Sequence, residues 1–322
     1  MHNPRFHYIL LRMKKFILYV FTGLFLAAVV MIPCAGGISS FISFVTGANT
    51  LLVVALWALG FAIASFGFGI ITKDNSWIDR IWSILPVGFA WYYAYRSGFA
   101  LAPGIVTILV TFWGARLTFN FARKGGYSGV EDYRWAVLRK KIPNPVLWQL
   151  FNLFFISFFQ SGLFVLFTYP IYSLTFYAAG DLPVLFWIFA ALGIALVCFE
   201  FAADQQQWNF HAAKRAAAEQ KNYPPKYAGD VKNGFLSQGL FALSRHPNYF
   251  GELGFWWTIW LTALSLTWDP VGSGLFGPFL LTLVITGSTF LAESISSSKY
   301  PEYRNFKRKV ISPIIPWFPK SG

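Results

Sequence analysis

Long apolar segments with few or no charged residues fill most of this 322-residue sequence, and they limit its fold more than any other feature. A helix needs about 20 mainly apolar residues to cross a bilayer, and several segments reach that length. Apolar residues make up 56% of the chain and charged residues only 12%. The sequence therefore predicts an all-α fold, a polytopic transmembrane helix bundle, and not a soluble domain.

Eight segments are long enough to span a membrane. They are residues 16–34, 49–71, 78–95, 100–121, 147–172, 183–203, 250–268 and 273–292. The segments 78–95 and 250–268 are short and rich in Trp and Tyr, so each could tilt, end early or form a hairpin. We therefore predict seven to eight spans and favour eight.

The distribution of basic residues predicts the orientation. With eight spans, five polar segments share one side: 1–15, 72–77, 122–146, 204–249 and 293–322. If Arg80 and Arg116 extend toward that side, it holds 25 of the 26 Lys and Arg residues, and Arg96 alone lies opposite. Basic residues favour the cytoplasmic side, so both termini are predicted to be cytoplasmic.

The net charge of +13 then reflects topology and attraction to anionic headgroups. Membrane lipids are the expected partners, nucleic acid is not, and no obligatory protein partner is indicated.

The start of the chain leaves an alternative open, because Met13-Lys14-Lys15 and the apolar run after it also fit a secretory signal peptide. Cys34 and Cys198 are predicted at different depths, so they form no disulfide framework.

The segment Ser244–Glu252 places several polar side chains directly before an apolar stretch. Pro247 suits the first turn of a helix, where a missing N–H costs nothing. Such a helix start offers unpaired N–H groups and a positive dipole end beside Arg245 and His246. This combination is suited to binding phosphate.

A second polar feature lies at the end of the predicted span 183–203. Four residues follow at i, i+4, i+7 and i+11: Glu200, Asp204, Gln207 and His211. They share one helix face, and carboxylates within a membrane normally face a cavity or a partner, which makes the stripe a candidate site. The alternative is that Asp204 and His211 lie among headgroups while Glu200 pairs with Arg116 or Arg245.

A third polar feature lies at the end of the last predicted span. Four residues share a face there: Thr286, Thr289, Glu293 and Ser297. An interfacial helix end explains Glu293 equally well. The run Lys307-Arg308-Lys309 is better explained as a headgroup anchor than as a ligand clamp.

These features together resemble the steroid 5-alpha-reductase superfamily, and within it the bacterial DUF1295 branch. The matching motifs cover roughly residues 73–317. They are Asp74–Pro86, Arg116 with Val130–Arg139, Glu200–Asp204, Gly239–Glu252, and Ala292–Pro301 leading to Pro313 and Pro316. The run GLFALSRHPNYFGE is the most specific of them.

The resemblance implies a bundle of about seven helices in a bacterial inner membrane that binds NADPH on its cytoplasmic side. It implies hydride transfer to a conjugated carbon–carbon double bond of a lipid-soluble substrate. By position, Asp204 matches a cofactor-contacting aspartate, and Asn248 and Glu252 match residues near the nicotinamide and ribose. No GxGxxG motif follows a strand, so a Rossmann domain is not expected. A metal site is not expected either, since the histidines lack a third ligand at suitable spacing.

A dinucleotide site needs cations for its phosphates and carboxylates for its hydroxyl and amide groups. Arg134, Lys232 and Arg245 are the phosphate candidates, and Tyr249 and Tyr300 are expected to stack on or bond to the cofactor. The full set of cofactor candidates is Arg116, Arg134, Asp204, Lys232, Arg245, His246, Asn248, Tyr249, Glu252, Glu293 and Tyr300.

The substrate side departs from the family pattern. Steroid reductases polarise their substrate with a Glu and a Tyr from the N-terminal helices, whereas the first two predicted spans here contain no acidic residue. Tyr92 or Tyr93 is the candidate catalytic phenol, with packing or an interfacial aromatic belt as the alternative. We expect one membrane domain, 1–322, with its substrate side in 1–115 and its cofactor side in 116–322.

Two other functions fit parts of the sequence. Prenylcysteine carboxyl methyltransferases share a related membrane core with an Arg-His-Pro element, and they use S-adenosylmethionine. That cofactor has no phosphates, so the cationic loops favour NADPH. The other alternative is a non-catalytic lipid-binding or transport protein, although the chain lacks the paired broken helices typical of transporters.

Overall fold

A computed structural model describes residues 46–317 of the chain, apart from residues 130 and 178–180. Within these residues every regular element is helical, which confirms the all-α prediction. The predicted span 16–34 and the possible signal peptide lie outside the described residues.

Five helical segments are long and apolar enough to cross a membrane. They are α1 (Thr50–Thr72), α4 (Leu101–Arg123), the continuous segment Pro145–Leu174, α8 (Val184–Ala218) and α11 (Phe276–Lys299). The segment Pro145–Leu174 consists of α6 (Pro145–Phe151), a π-helix (Asn152–Phe159) and α7 (Gln160–Leu174). These five match predicted spans, so the chain is an integral membrane protein.

The two short aromatic segments behave differently from each other. The predicted span 78–95 is broken into α2 (Trp77–Ile81) and α3 (Leu85–Arg96), with Pro86 in the first turn of α3. The predicted span 250–268 is one helix, α10 (Pro247–Thr267), with proline at its first position as expected. The total of seven to eight spans and the orientation of the termini stay predictions.

Helix α8 extends well beyond its predicted end at residue 203. Its 35 residues run to Ala218. At 1.5 Å per residue it is about 52 Å long, whereas the hydrocarbon core of a bilayer is about 30 Å thick. One end of α8 must therefore project into a polar region.

The segments that connect or follow the long helices contain shorter elements. They are α5 (Tyr133–Lys141), α9 (Ala228–Asn233), α12 (Tyr303–Lys309) and 3₁₀ turns at Pro225–Tyr227 and Gly239–Ala242.

The described residues divide into two compact units. The first comprises the described parts of Met1–Phe99 and Leu117–Thr168, and the second those of Ala100–Arg116 and Tyr169–Gly322. The expected single membrane domain, with a substrate side ending at residue 115, stays a prediction.

In the first unit, a buried polar network fixes the connection that follows α1. The Asp74 carboxylate accepts hydrogen bonds from the backbone N–H of Ser76 and from Arg80. Arg80 Nε also donates to the carbonyl of Gly126. Glu131 accepts from the backbone N–H of Asn75. The motif Asp74–Pro86 therefore begins with side chains that hold two loops together.

In the second unit, α8 and α10 pack along each other at glycine contacts. A Cβ at Gly251 would lie only 2.6 Å from Glu200 Cβ, and one at Gly254 would lie 3.0 Å from a Leu196 methyl carbon. Small residues let helix backbones approach closely within membranes. This close approach brings the polar faces of α8 and α10 together.

Candidate functional site

A buried cluster of three carboxylates and one guanidinium lies in the second unit. Arg116 on α4 contacts Glu200 and Asp204 on α8, and Glu252 on α10. The nitrogen–oxygen distances are 2.8 Å to Glu200, 2.7 Å to Asp204 and 3.5 Å to Glu252. All four side chains are at most 9% exposed. The i, i+4 spacing predicted that Glu200 and Asp204 share a helix face. The alternative interpretation of the sequence had already proposed Arg116 as one possible ion-pair partner of Glu200.

An aromatic wall completes the carboxylate cluster. Trp113 lies three residues before Arg116 on α4, and its Nε1 donates to Glu252 Oε2 at 2.8 Å. Its ring is parallel to that of Phe255 at 6.0 Å and meets Trp256 edge-on at 4.8 Å. The sequence analysis missed Trp113, although its i−3 spacing from Arg116 places both on one helix face.

Some polar atoms of the carboxylate cluster lack partners. Arg116 Nε, Glu200 Oε2 and Glu252 Oε1 are buried without a hydrogen-bond partner among the described residues. Such atoms are rare in folded proteins, because each one costs free energy of desolvation. With all groups ionised, the four side chains carry a formal charge of −2. The cluster is therefore suited to a ligand that donates hydrogen bonds or carries positive charge.

The start of α10 is closed off by the C-terminal segment. The backbone N–H of Arg245 donates to the Ser312 carbonyl at 3.2 Å, and that of His246 to the Pro313 carbonyl at 2.9 Å. Ser244 Oγ donates to the Ile314 carbonyl at 2.7 Å. The N–H groups of Arg245 and His246, directly before the helix, are thus paired, and within its first turn the N–H of Tyr249 donates to the His246 carbonyl. Sequence patterns carry no signal for such long-range backbone pairing.

The Arg245 side chain is also occupied. It donates to both oxygens of Glu293, with nitrogen–oxygen distances of 2.5 and 3.2 Å, and to the carbonyls of Val310 and Ile311. Lys307 Nζ lies 2.9 Å from the same Glu293 carboxylate. These contacts take four of the five guanidinium N–H donors. In this structure Arg245 fastens the C-terminal segment, and a phosphate role would require these bonds to break.

The neighbouring residues of the α10 start are more open. The rings of His246 and Tyr249 stack at 5.1 Å, and His246 Nε2 lies 3.5 Å from Glu293. Asn248 is half-buried, and its side chain makes no hydrogen bond within the described residues. It lies one turn before Glu252 on the same face of α10, as predicted.

The remaining cofactor candidates are spread over both units. Tyr300 contacts Lys214 in the second unit, where Lys232 is exposed on α9. Arg134 lies in the first unit and pairs with Asp132 at 2.9 Å. Gln207 and His211, the last two residues of the predicted stripe, contact each other at the surface of α8, with their Nε2 atoms 3.4 Å apart.

The candidate catalytic phenols lie on α3 in the first unit. Tyr93 is fully buried. The Tyr92 hydroxyl accepts a hydrogen bond from Arg96 at 3.2 Å, and its ring lies 5.0 Å from that of Trp57. The contact with Trp57 agrees with the alternative that Tyr92 serves packing and not catalysis. In the described part of the chain, no three His, Cys, Asp or Glu side chains are grouped to hold a metal ion.

Comparison with known proteins gives the family. A protein family described as "Protein of unknown function (DUF1295)" matches residues 65–310. The chain belongs to the DUF1295 family. The matched region of this DUF1295 protein contains the carboxylate cluster and the Arg245–Glu293 pair. No solved structure matches the chain.

A relative is known from fission yeast. An uncharacterized protein of Schizosaccharomyces pombe is 34% identical over 281 residues, which cover 84% of this DUF1295 protein and 81% of the relative. Because this relative is eukaryotic, the assignment to a bacterial branch and a bacterial inner membrane stays a prediction.

Substitution of Gly251 tests the helix contact that builds the site. In Gly251→Ala the new methyl group would meet Glu200 Cβ at 2.6 Å and its Cα at 3.2 Å, so α8 and α10 must separate. We expect the free energy of unfolding to fall by about 1–3 kcal/mol, the usual cost of overpacking. Thermal unfolding in detergent measures this change. Gly287→Ala on α11 is the matched control, because its methyl group would meet no atom within 4 Å. Equal stability of the two variants would contradict the close contact.

Proposed function

We propose that this protein is an NADPH-dependent membrane reductase that adds hydride to an activated carbon–carbon double bond of a lipid-soluble sterol, isoprenoid or acyl-like substrate. The observation that carries the proposal is the pair Asn248 and Glu252. Glu252 Oε1 and the Asn248 amide both lack hydrogen-bond partners among the described residues, one turn apart on α10. A nicotinamide carboxamide offers one N–H₂ donor and one carbonyl acceptor, which complement these two side chains.

The polar residues fit different parts of the cofactor. Glu252, Asn248 and Asp204 suit its amide and ribose hydroxyls, since carboxylates accept and amides donate hydrogen bonds. Arg116 is neutralised by three carboxylates, so the phosphates require cations elsewhere, such as Lys232. NADPH supplies the hydride, and the aromatic wall around Glu252 would keep water from the reacting atoms.

The substrate side is proposed to lie among the apolar helices of the first unit. There the phenol of Tyr92 or Tyr93 would donate a hydrogen bond that polarises a substrate carbonyl. The finer assignments belong to the same proposal: membership of the bacterial branch of the steroid 5-alpha-reductase superfamily, and a cofactor site that faces the cytoplasm of a bacterial inner membrane. The placement of basic residues in the sequence supports that orientation.

One structural observation favours the second candidate function. With all its carboxyl groups ionised, the carboxylate cluster has an excess of negative charge, which would also attract the sulfonium group of S-adenosylmethionine. A methyltransferase related to prenylcysteine carboxyl methyltransferases is therefore the alternative.

Ligand-dependent stability separates the two functions. At 100 times its dissociation constant, a ligand that binds only the folded state adds about 2.7 kcal/mol of stability. We expect NADPH to raise the unfolding temperature of the detergent-solubilised protein more than NADH does, and S-adenosylmethionine to leave it unchanged. Stabilisation by S-adenosylmethionine alone would replace the reductase proposal with the methyltransferase.

Asn248→Ala tests the proposed contact. Since the Asn248 side chain makes no hydrogen bond within the described residues, we expect this variant to unfold at nearly the parental temperature without ligand and to lose the NADPH-dependent rise. Asn209→Ala is the matched control, because Asn209 is exposed in the same unit and its side chain bonds only to Gln205 within the described residues. A full NADPH response in Asn248→Ala would rule out this location for the cofactor.

A further inference from the structure

Lys214 lies ten residues beyond Asp204 on α8, and its hydrogen-bond partners in the described part of the chain are neutral. Its Nζ donates to the Gly234 carbonyl at 2.7 Å and to the Tyr300 hydroxyl at 3.1 Å. The side chain is half-buried, so part of its hydration is lost. An ammonium group has three N–H donors, and one of them remains for another acceptor.

A second ammonium group lies beside the same phenol. Lys214 Nζ is 4.8 Å and Lys299 Nζ is 5.4 Å from the centre of the Tyr300 ring. The two charges are thus at most about 10 Å apart, within roughly one Debye length, so they repel each other. Burial raises the pKa of Tyr300, but its hydrogen bond to Lys214 and the charges of Lys214 and Lys299 outweigh burial and lower that pKa.

No carboxylate among the described residues forms a salt bridge with either lysine. The acidic groups that follow α8 have other partners. Glu219 pairs with Lys221, Glu252 with Arg116, and Glu293 with Arg245 and Lys307. Asp230 accepts from Ser237 and Gln238, Asp269 from the backbone N–H groups of Val271 and Gly272, and Glu302 from Asn305. The two lysines around Tyr300 therefore carry a charge of +2 that no salt bridge within the described residues offsets.

The Tyr300 ring is held in a fixed position. Gly234 adopts φ +88°, which favours glycine, and a Cβ there would lie 2.4 Å from a ring carbon of Tyr300. Phe235 packs on the ring from the adjacent position, with ring centres 6.1 Å apart. A neutral hydrogen-bond donor in place of Lys214 would link α8 to the Gly234 carbonyl equally well, so this contact does not explain the positive charge of Lys214. The excess positive charge around a fixed phenol therefore points to an anion.

We propose that Lys214, Lys299 and the Tyr300 hydroxyl form a binding site for a phosphate monoester group. Two sources have this chemistry, a nucleotide phosphate and the headgroup of phosphatidic acid. Lys214 lies about 15 Å from Asp204 along α8, so a dinucleotide bound at the carboxylate cluster is long enough to reach the site. As the site of the NADPH 2′-phosphate, it rests on the proposed function.

Binding to the purified full chain tests the phosphate site. The nucleotide probes are adenosine 2′,5′-bisphosphate and adenosine 5′-monophosphate, and the lipid probes are vesicles of phosphatidylcholine with or without phosphatidic acid. We expect Lys214→Gln to weaken binding of the bisphosphate or of phosphatidic acid at least about tenfold, since it removes a charged hydrogen-bond donor to the phosphate. Lys221→Gln, an exposed lysine paired with Glu219, removes the same charge and serves as control. Lys299→Gln provides a second variant on an exposed side chain, should Lys214→Gln fail to fold.

The outcomes separate the phosphate site from the proposed function. A Lys214-dependent preference for the bisphosphate over the monophosphate identifies a nucleotide phosphate. Lys214-dependent binding of phosphatidic acid alone, without NADPH stabilisation, identifies a headgroup and removes the reductase proposal while the site stands. Equal binding of both probes by the parent, Lys214→Gln and Lys299→Gln overturns the site. In that case, stabilisation by NADPH would still leave the reductase proposal intact.

Discussion

Arg116→Met is expected to lower the free energy of unfolding by about 3–5 kcal/mol, the usual effect of removing one partner from a buried ion pair. Arg116 forms ion pairs with all three buried carboxylates, Glu200, Asp204 and Glu252. Methionine keeps most of the side-chain volume, so the loss reports charge and hydrogen bonding more than packing. Denaturant or thermal unfolding in detergent, with helicity as the signal, measures the change.

Two further variants isolate the cause of that loss. Arg123→Met on the same helix removes a half-buried arginine that donates to Asn120 and covers Phe119, so we expect a loss below about 1 kcal/mol. Neutralising one carboxylate in the Arg116→Met background, as in Asp204→Asn, is expected to recover part of the stability. If Asp204→Asn instead lowered the free energy of unfolding further, uncompensated negative charge would not be the cause of the instability of Arg116→Met.

The sequence predicted the long helices because an apolar run of membrane length has few other stable conformations. It ended the membrane span at residue 203, although the polar stripe that runs on to His211 was placed on one helix face. The helix continues past that stripe to Ala218 and carries Lys214, which no motif distinguished. The break between α2 and α3 was not predicted, since a tilt, an early end and a hairpin were the options given for the segment 78–95.

The candidate site was predicted only where its residues share a helix face. The i, i+4 spacing placed Glu200 with Asp204 and Asn248 with Glu252, and an Arg116 pairing was one stated alternative. The partners of Arg245 could not be found in this way. They include backbone carbonyls more than 60 residues away, and any residue type supplies a carbonyl. The sequence therefore favoured a phosphate role for a side chain that the structure engages with protein atoms.

Arg245→Lys distinguishes these two roles. Lysine keeps the positive charge but cannot make the fork of bonds that joins Glu293 to the carbonyls of Val310 and Ile311. If Arg245 fastens the C-terminal segment, the variant should lose roughly 2–4 kcal/mol of stability, somewhat less than complete removal of a buried partner. Hydrogen exchange at the Trp317 amide, which donates to the Leu243 carbonyl, should also become faster.

The opposite pattern would support a phosphate role. In that case Arg245→Lys would keep its unfolding temperature and its slow Trp317 exchange but respond more weakly to NADPH. Arg308→Lys is the matched control, because Arg308 on α12 is exposed and forms no ion pair among the described residues. Arg245 also holds Glu293 beside His246, whose ring stacks on Tyr249. Arg245 therefore also influences the position of these two rings at the start of α10. A structural role for Arg245 therefore still contributes to cofactor binding, by fixing the helix start from which Asn248 and Glu252 extend.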